Sequence, residues 1–392
     1  MRKICLRAFV KGNLGDDLLI HLLCSRYPND IFYLCGEKKY KNKYMKLSNL
    51  KYISVDTFFA LWGCRILNIF CYILCKIKGI GFHNVKTRVF DYFSRKADLN
   101  IYIIGSGFIE RYNDICRNKY AYIKEKKYYK RNTYVIDCSF GPYSSMEYVN
   151  IYKDLFSHTK QVSFRDINSY THFTGDNILI YPDVVFSIKR FLTLNRNIGP
   201  VNKPYILIAP LDPDKDLKPL NNKELTLNSN YIHVMRQIIR KVVSLDFDIV
   251  IMCLCKDQGD DSVADIICQG LDLIKDRIKI VSYSDTYCWD MIDYFINAGC
   301  VITSRFHAMV LGWVYNKSVL SISFSEKINS VASDCGAKDS IMTLDECLDQ
   351  TYLENMIKKL LSNMFICPDT ERISKEAEGH FAKLDLLYGQ VE

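Results

Sequence analysis

The stretch INAGCVITSRFHAMVLGWVYNKSVLSISFSEK, residues 296–327, decides the fold. It opens with a short apolar run, Cys300–Thr303, followed by Ser304-Arg305-Phe306-His307. An apolar pattern with helical spacing comes next, then a second apolar run from Ser318 to Phe324, and the stretch closes on Lys327. Strand, polar turn, helix and strand make up the repeating unit of a parallel α/β sheet. Arg305 and His307 fall where the buried strand gives way to the helix, the edge at which open parallel sheets bind ligands. A helix N-terminus there presents N–H groups and a positive field to an anion. A guanidinium close to an imidazole at such an edge points to phosphate or carboxylate chemistry.

The same grammar runs outward in both directions. Towards the N-terminus, Lys3–Val10 reads as a first strand, Ile31–Cys35 as a second and Tyr52–Val55 as a third. Ile101–Ile104 runs into Gly105-Ser106-Gly107, Tyr134–Asp137 into Cys138-Ser139-Phe140-Gly141-Pro142, and Gln161–Phe164 into Arg165-Asp166. Ile178–Tyr181 leads to Pro182-Asp183. The polar stretch from Lys189 to Lys203, with Gly199-Pro200, reads as a linker. Beyond it Pro204–Ala209, Ile249–Cys255 and Arg277–Val281 are further strands, and Tyr231–Ser244 and Tyr287–Asn297 have helical periodicity. Asp212 to Asn230 is polar and reads as a loop over a cleft. The expected fold is therefore α/β, with two Rossmann-like domains facing a cleft. One spans residues 1–195 and the other 204–360, the second carrying the Arg-x-His segment. Residues 361–392 form a C-terminal tail packing back on the body.

Composition agrees with this and narrows the partners. A chain of 392 residues is long for one core, and 49% hydrophobic residues supply ample material for two. The net charge of +8 is a mild excess, with no long basic arm and no zinc-finger or RNA-binding signature, so nucleic acid is not an expected partner. Sixteen cysteines suggest a disulfide count, yet Cys24, Cys35, Cys64, Cys71, Cys75, Cys253, Cys255 and Cys300 lie in apolar runs, where they act as small hydrophobes of a reducing compartment. No CxxC occurs and the histidines are scattered, so no metal site is expected. The N-terminus resembles a strand more than an export signal. Phe58–Cys75, FFALWGCRILNIFCYILC, is shorter than the roughly 20 apolar residues of a membrane span and carries Arg65 and Asn68. It reads as a buried helix and leaves open an interfacial one, at the cytoplasmic face of a membrane.

Between the first strand and the first helix stands Lys11-Gly12-Asn13-Leu14-Gly15-Asp16-Asp17. Its glycines permit a tight turn, and Asp16 is placed to cap a helix from Leu18 to about Cys24. It is neither GxGxxG nor a P-loop. From Arg111 to Arg131 the chain is rich in Lys, Arg and Tyr, and Lys124, Lys126, Lys127 and Lys130 read as solvated surface.

Taken in order, these motifs resemble the polysaccharide pyruvyl transferases. Asn13-Leu14-Gly15-Asp16 resembles the family's Asn-x-Gly-Asp turn, and Gly105-Ser106-Gly107 its glycine-rich strand end, with Ser106 where glycine is commoner. Arg165-Asp166, Pro182-Asp183 and Ser304-Arg305-Phe306-His307 followed by Lys327 match the rest. Lys317-Ser318 departs from the family's Gly-x-Pro at the helix exit.

The resemblance covers most of the chain and implies a GT-B-like enzyme with its site in the interdomain cleft. Such an enzyme moves the pyruvyl group of phosphoenolpyruvate onto a sugar of a surface polysaccharide or its lipid-linked precursor, as a cyclic ketal, with release of phosphate. Phosphoenolpyruvate is then a donor substrate, and no cofactor is needed. Arg305 and Arg165 are candidates for the donor's two anionic groups, Lys327 for its phosphate, and His307 for acid/base work, with Asp183 orienting it or holding a sugar hydroxyl. Gly105, Ser106, Gly107, Asn13 and Asp16 line the donor or the sugar. Two alternatives stay open: a GT-B-type glycosyltransferase using a nucleotide sugar, and a non-catalytic sugar-binding protein of an envelope-synthesis complex. The expected location is cytoplasmic, with a peripheral membrane contact left open.

Overall fold

Short, largely apolar runs form the strands of this protein. In the computed structural model, which describes residues 1–55, 85–110, 114–116, 118–191, 204–216 and 224–389, they assemble into two parallel sheets. The first sheet holds β1 (Lys3–Ala8), β2 (Ile31–Gly36), β3 (Leu50–Ser54), β4 (Leu99–Ile103), β5 (Thr133–Cys138), β6 (Gln161–Phe164) and β7 (Ile178–Ile180), in the order β3-β2-β1-β4-β5-β6-β7. The second holds β8 (Tyr205–Ala209), β9 (Asp248–Cys253), β10 (Ile278–Ser282), β11 (Cys300–Thr303), β12 (Ser318–Ile322) and β13 (Ile341–Met342), in the order β10-β9-β8-β11-β12-β13. Strands β4, β5, β8, β11 and β12 are buried at every residue. A parallel strand covered by helices on both faces has no solvent side, so its sequence is a continuous apolar run rather than an alternation.

Each sheet has a point where the chain, having wound outward on one side, returns to wind the other way. It lies between β1 and β4 in the first sheet and between β8 and β11 in the second. Such switch points leave a crevice at the carboxyl ends of the strands. The turn after β1, the Gly105–Gly107 turn after β4 and the Ser304–His307 turn after β11 all belong to these edges.

The two domains are tied together along this edge. Asn13 and Cys255 form an antiparallel bridge, and Leu14 N–H donates to the Leu254 carbonyl at 3.1 Å. Asp17 is fully buried and accepts hydrogen bonds from Tyr44 of its own domain and from Tyr283 of the other, the latter at 2.7 Å. Lys43 donates to the carbonyls of Ser284 and Thr286, at 3.1 and 2.9 Å. The helix Phe306–Val314 is buried along its whole length. A helix apolar all round has to sit inside the molecule. This one lies in a core shared with the helix Leu14–Arg26 and the 3-10 segment Val184–Arg190.

The tail crosses back to the first domain. Arg26 grips both Glu378 and Asp385, the second at 2.6 Å, Tyr27 donates to Asp385 at 2.8 Å, and Tyr388 stacks on Tyr27 with ring centres 4.9 Å apart.

Several local expectations need correction. Asn13, not Asp16, caps the first helix: its extended backbone places Oδ1 3.0 Å from Gly15 N–H, and the helix starts at Leu14. Glu224–Asn230 is helix rather than loop, because the apolar stripe through Tyr231, Val234 and Met235 extends one helix over Glu224–Ser244, and Asn228 ties back to Asp214 at 2.5 Å. Lys126 is half-buried against Asp154 at 2.9 Å rather than free surface. The described cysteines are all free thiols. Phe58–Cys75 and most of the linker lie outside the described residues. Among those described, no helix is long and apolar enough to cross a membrane.

Candidate active site

At the end of β6, Arg165 turns its side chain inward, where none of it meets solvent. A buried guanidinium demands counter-charge and a full set of acceptors. Nη1 donates to Asp183 Oδ2 at 2.8 Å and lies 3.6 Å from Asp137 Oδ2. Nε donates to Ser139 Oγ at 3.0 Å, and Nη2 reaches Ser106 Oγ at 3.5 Å. Gly105 is glycine because of this arginine: a Cβ there would fall 2.6 Å from Nη2. Ser106 also accepts from Lys327 Nζ at 3.2 Å, so the serine of the Gly-Ser-Gly turn joins the two cations. Asp166 plays a different part. It caps the turn Ile167–Tyr170, accepting from Ser169 N–H at 2.8 Å.

Asp183 caps the 3-10 segment that follows it, accepting from Val185 N–H at 2.9 Å. Its other oxygen, Oδ2, faces His307 Nε2 at 3.9 Å. His307 comes from the opposite domain, one residue into the helix after β11. Its ring lies against Gly15, where a Cβ would sit 1.8 Å from Nδ1. The Gly15 of the Asn-x-Gly-Asp turn therefore makes room for the histidine. Phe306 sits beneath the cations, with Lys327 Nζ 3.8 Å and the Arg165 guanidinium 4.8 Å from its ring centre, both within cation–π range.

The charges of this cluster oppose one another. Burial pushes His307 down to about 3, with Lys327 and Arg165 adding to the effect and Asp183 opposing it. Burial and then Arg165 push Lys327 down to about 7, against the pull of Asp183, Asp16 and Asp137. Part of the Lys327 side chain is solvent-accessible, but its ammonium is turned onto Ser106 and the Phe306 ring. Burial and the Asp183 charge push Asp137 up to about 7, and burial pushes Asp16 up to about 6. Burial also works against ionisation of Asp183, but the Arg165 guanidinium outweighs it and holds that carboxyl below its ordinary range. The free site thus holds a fixed Arg165–Asp183 ion pair, a neutral imidazole, and a lysine balanced near neutrality.

Arg305 belongs to an adjoining network. Its guanidinium donates to Gln258 Oε1 at 2.8 Å and pairs with Asp260. Asp260 in turn accepts from Leu254 and Cys255 N–H, both at 3.0 Å. Asn13 Nδ2 donates to the same Gln258 oxygen at 3.3 Å. The structure thus gathers Arg165, Asp183, His307, Lys327 and Ser106 around one point, with Gly15 and Gly105 as its floor and Asp16 within its field. Arg305 and Asn13 stand at the domain joint beside it. Sequence reasoning passed over Asp137, Ser139 and Phe306. An acidic residue closing an otherwise apolar strand was the available signal for Asp137, which sits there with φ 57°.

Gly15→Ala is expected to displace the His307 ring and to lower kcat by about 10²-fold, the cost of a misplacement near 1 Å. A steady-state assay returning wild-type kcat would show that the ring has no need of this seat.

The family described as polysaccharide pyruvyl transferase matches residues 5–326. No curated protein sequence matches the chain. Among solved structures it is similar to S. aureus MnaA in its UDP co-structure, with TM-score 0.58 and 10% identity, covering 100% of this chain and 98% of that one. It is also similar to UDP-GlcNAc 2-epimerase from Neisseria meningitidis bound to UDP-GlcNAc, with TM-score 0.56 and 11% identity over 100% of both chains. The UDP-GlcNAc 2-epimerase from Methanocaldococcus jannaschii gives TM-score 0.58 at 10% identity, covering 98% of this chain and 99% of that one. At such identities the likeness concerns the fold alone, a GT-B-like pair of Rossmann domains. With its motifs in order along the match and their side chains meeting at one edge of both sheets, the chain belongs to the polysaccharide pyruvyl transferase family.

Proposed function

We propose that the protein transfers the pyruvyl group of phosphoenolpyruvate to two hydroxyls of one sugar in a surface polysaccharide or its lipid-linked precursor, forming a cyclic ketal and releasing phosphate. The observation that carries this reading is the convergence of Arg165 and Lys327 beside a neutral His307, at the joint edge of both sheets in a member of this family. Phosphoenolpyruvate carries a phosphate and a carboxylate. Arg165 supplies a fixed positive charge, its N–H groups held by Asp183, Ser139 and Ser106, and Lys327 a point charge, and together they favour an anionic donor. Arg305, at the N-cap of the helix that carries His307, is assigned to the rim of the same cleft.

The proton inventory balances. The methylene carbon of the donor takes up a proton and becomes the methyl group, which makes the central carbon electrophilic. One sugar hydroxyl attacks that carbon, the bond to the phosphate oxygen breaks, and the second hydroxyl closes the ring. Two hydroxyl protons are released: one replaces that taken up by carbon and the other leaves with phosphate. His307 is assigned this proton traffic. Being neutral, it can accept a proton, and Asp183 beside it stabilises the imidazolium that results.

The donor's negative charge opposes the depression of Lys327, which burial and then Arg165 cause. At about pH 8 the free lysine, with its value near 7, is mostly unprotonated, and an anion beside it raises that value. Donor binding is therefore expected to take up protons from solution. Calorimetry of phosphoenolpyruvate binding in buffers of different ionisation enthalpy measures this, and binding without proton uptake at that pH would remove Lys327 from the donor site. Arg305→Lys is expected to raise the donor KM more than it lowers kcat, because one ammonium cannot span both Gln258 and Asp260. An unchanged KM in a donor titration would take Arg305 off the rim.

A further inference from the structure

The C-terminal tail delivers a histidine to the underside of the active site. His380 is completely buried. Its Nε2 lies 3.0 Å from the Pro182 carbonyl and its Nδ1 2.8 Å from Ser163 Oγ. A carbonyl oxygen only accepts, so Nε2 carries the proton and Nδ1 accepts from the serine hydroxyl. Gln161 Nε2 completes the chain, donating to Ser163 Oγ at 3.0 Å and to the His380 carbonyl at 2.8 Å.

The fit is close along the backbone as well. A Cβ on Gly379 would fall 2.2 Å from the Tyr181 ring, and that ring meets His380 edge-on at 5.4 Å. Gly379-His380 therefore docks onto Tyr181-Pro182, immediately before Asp183. The charged groups facing the imidazole are Asp137, with Oδ1 3.5 Å from Nε2, together with Asp183 and Arg165. Burial pushes the imidazole down to about 4, which agrees with the neutral tautomer.

We infer that His380 is a positioning residue for the transfer reaction, fixing the Pro182 carbonyl and through it the Asp183 carboxylate that holds Arg165 and faces His307. This rests on the reading of the site given above. His380 reaches no reacting atom. Its effect passes through one peptide, and it makes the tail part of the first domain's rigidity rather than a loose end. The tail is fastened for this purpose by Arg26 to Glu378 and Asp385, and by Arg190 to Glu378 at 3.5 Å.

The test compares His380→Gln, His380→Leu and Ser163→Ala in steady-state kinetics with phosphoenolpyruvate. His380→Leu removes the donor to Pro182 and is expected to lower kcat by about 10- to 100-fold, the usual cost of losing a partner that orients a reacting group, with the acceptor KM unchanged. His380→Gln keeps an N–H at the Nε2 position and is expected to restore most of that loss. Equal kcat in His380→Leu and wild type, or equal losses in the Leu and Gln variants, would overturn the inference. If His380→Leu does not fold, Ser163→Ala decides: a several-fold fall in kcat supports the relay, and wild-type kcat overturns it. If the wild type itself turns over no phosphoenolpyruvate, the proposed reaction fails. Crystal structures of His380→Gln and Ser163→Ala then decide the inference alone. A displaced Pro182–Asp183 peptide in Ser163→Ala, with His380→Gln unmoved, supports it. An Arg165–Asp183 pair still at 2.8 Å in Ser163→Ala overturns it.

Discussion

His307→Ala is expected to lower kcat by about 10²- to 10⁴-fold, the usual contribution of a positioned general acid or base. The protein should remain folded. Among the described residues His307 Nε2 has no hydrogen-bond partner, so the substitution breaks no hydrogen bond there. What is lost is a titratable ring that touches Gly15 while facing Asp183. Stability carries its own signature. Burial lowers the folded-state value of His307 to about 3, below the ordinary value of 6.5. Between those values the unfolded chain binds more protons than the native one, so this group makes the wild type lose stability as pH falls through that window. His307→Ala removes the penalty. Denaturant titrations at about pH 7 and pH 5 should show the variant losing less stability on acidification than the wild type. Near-normal kcat at every pH would remove His307 from the proton traffic.

Asp183→Ala is expected to cost about 3–5 kcal/mol of stability, because it leaves the guanidinium of Arg165 buried without its closest carboxylate. The loss should fall at the lower end of that range. Asp137, 3.6 Å from the same guanidinium, is pushed up to about 7 by burial and by the Asp183 charge, and it ionises more readily once that charge is gone. The pH dependence has a definite sign. Asp183 is held below its unfolded value, so its stabilisation is present above that value and is lost as pH falls through the folded one. The gap between wild type and variant should therefore narrow in acid. Catalysis should fail at the same time, since Arg165 loses its aim and His307 its counter-charge. An unchanged denaturation midpoint in Asp183→Ala would mean that the ion pair contributes nothing to the native state.

The architecture was legible because parallel strands buried on both faces announce themselves as short apolar runs. Cys300–Thr303 and Ile101–Ile103 are examples, each stopped by a residue that turns the chain. The candidate site was legible in part for the same reason, since polar residues placed just past buried strands lie at the crevice edge. Arg165, Asp183 and His307 all stand in such places. Boundaries were harder. The first helix begins four residues earlier than its apolar pattern suggests, because Asn13 uses its own side chain as the cap.

Partners distant in sequence left no local trace. Nothing near Arg305 marks it for Asp260, and nothing near Pro182 marks it for a histidine 198 residues away. These pairings exist only once two sheets and a returning tail are packed together, and they separate a list of candidate residues from a site. The tail is the clearest case. Its packing back on the body was expected, but the same segment also carries His380 to the back of Asp183.

The most direct test of the whole account is the mass of the product. Purified protein would be given phosphoenolpyruvate and a panel of free and lipid-linked sugar acceptors, with phosphate release followed and the acceptor weighed by mass spectrometry. The expected result is acceptor-dependent phosphate release together with an acceptor heavier by pyruvic acid less one water, the signature of a cyclic ketal. Glycosyl transfer from a nucleotide sugar, with neither binding nor consumption of phosphoenolpyruvate, would contradict it.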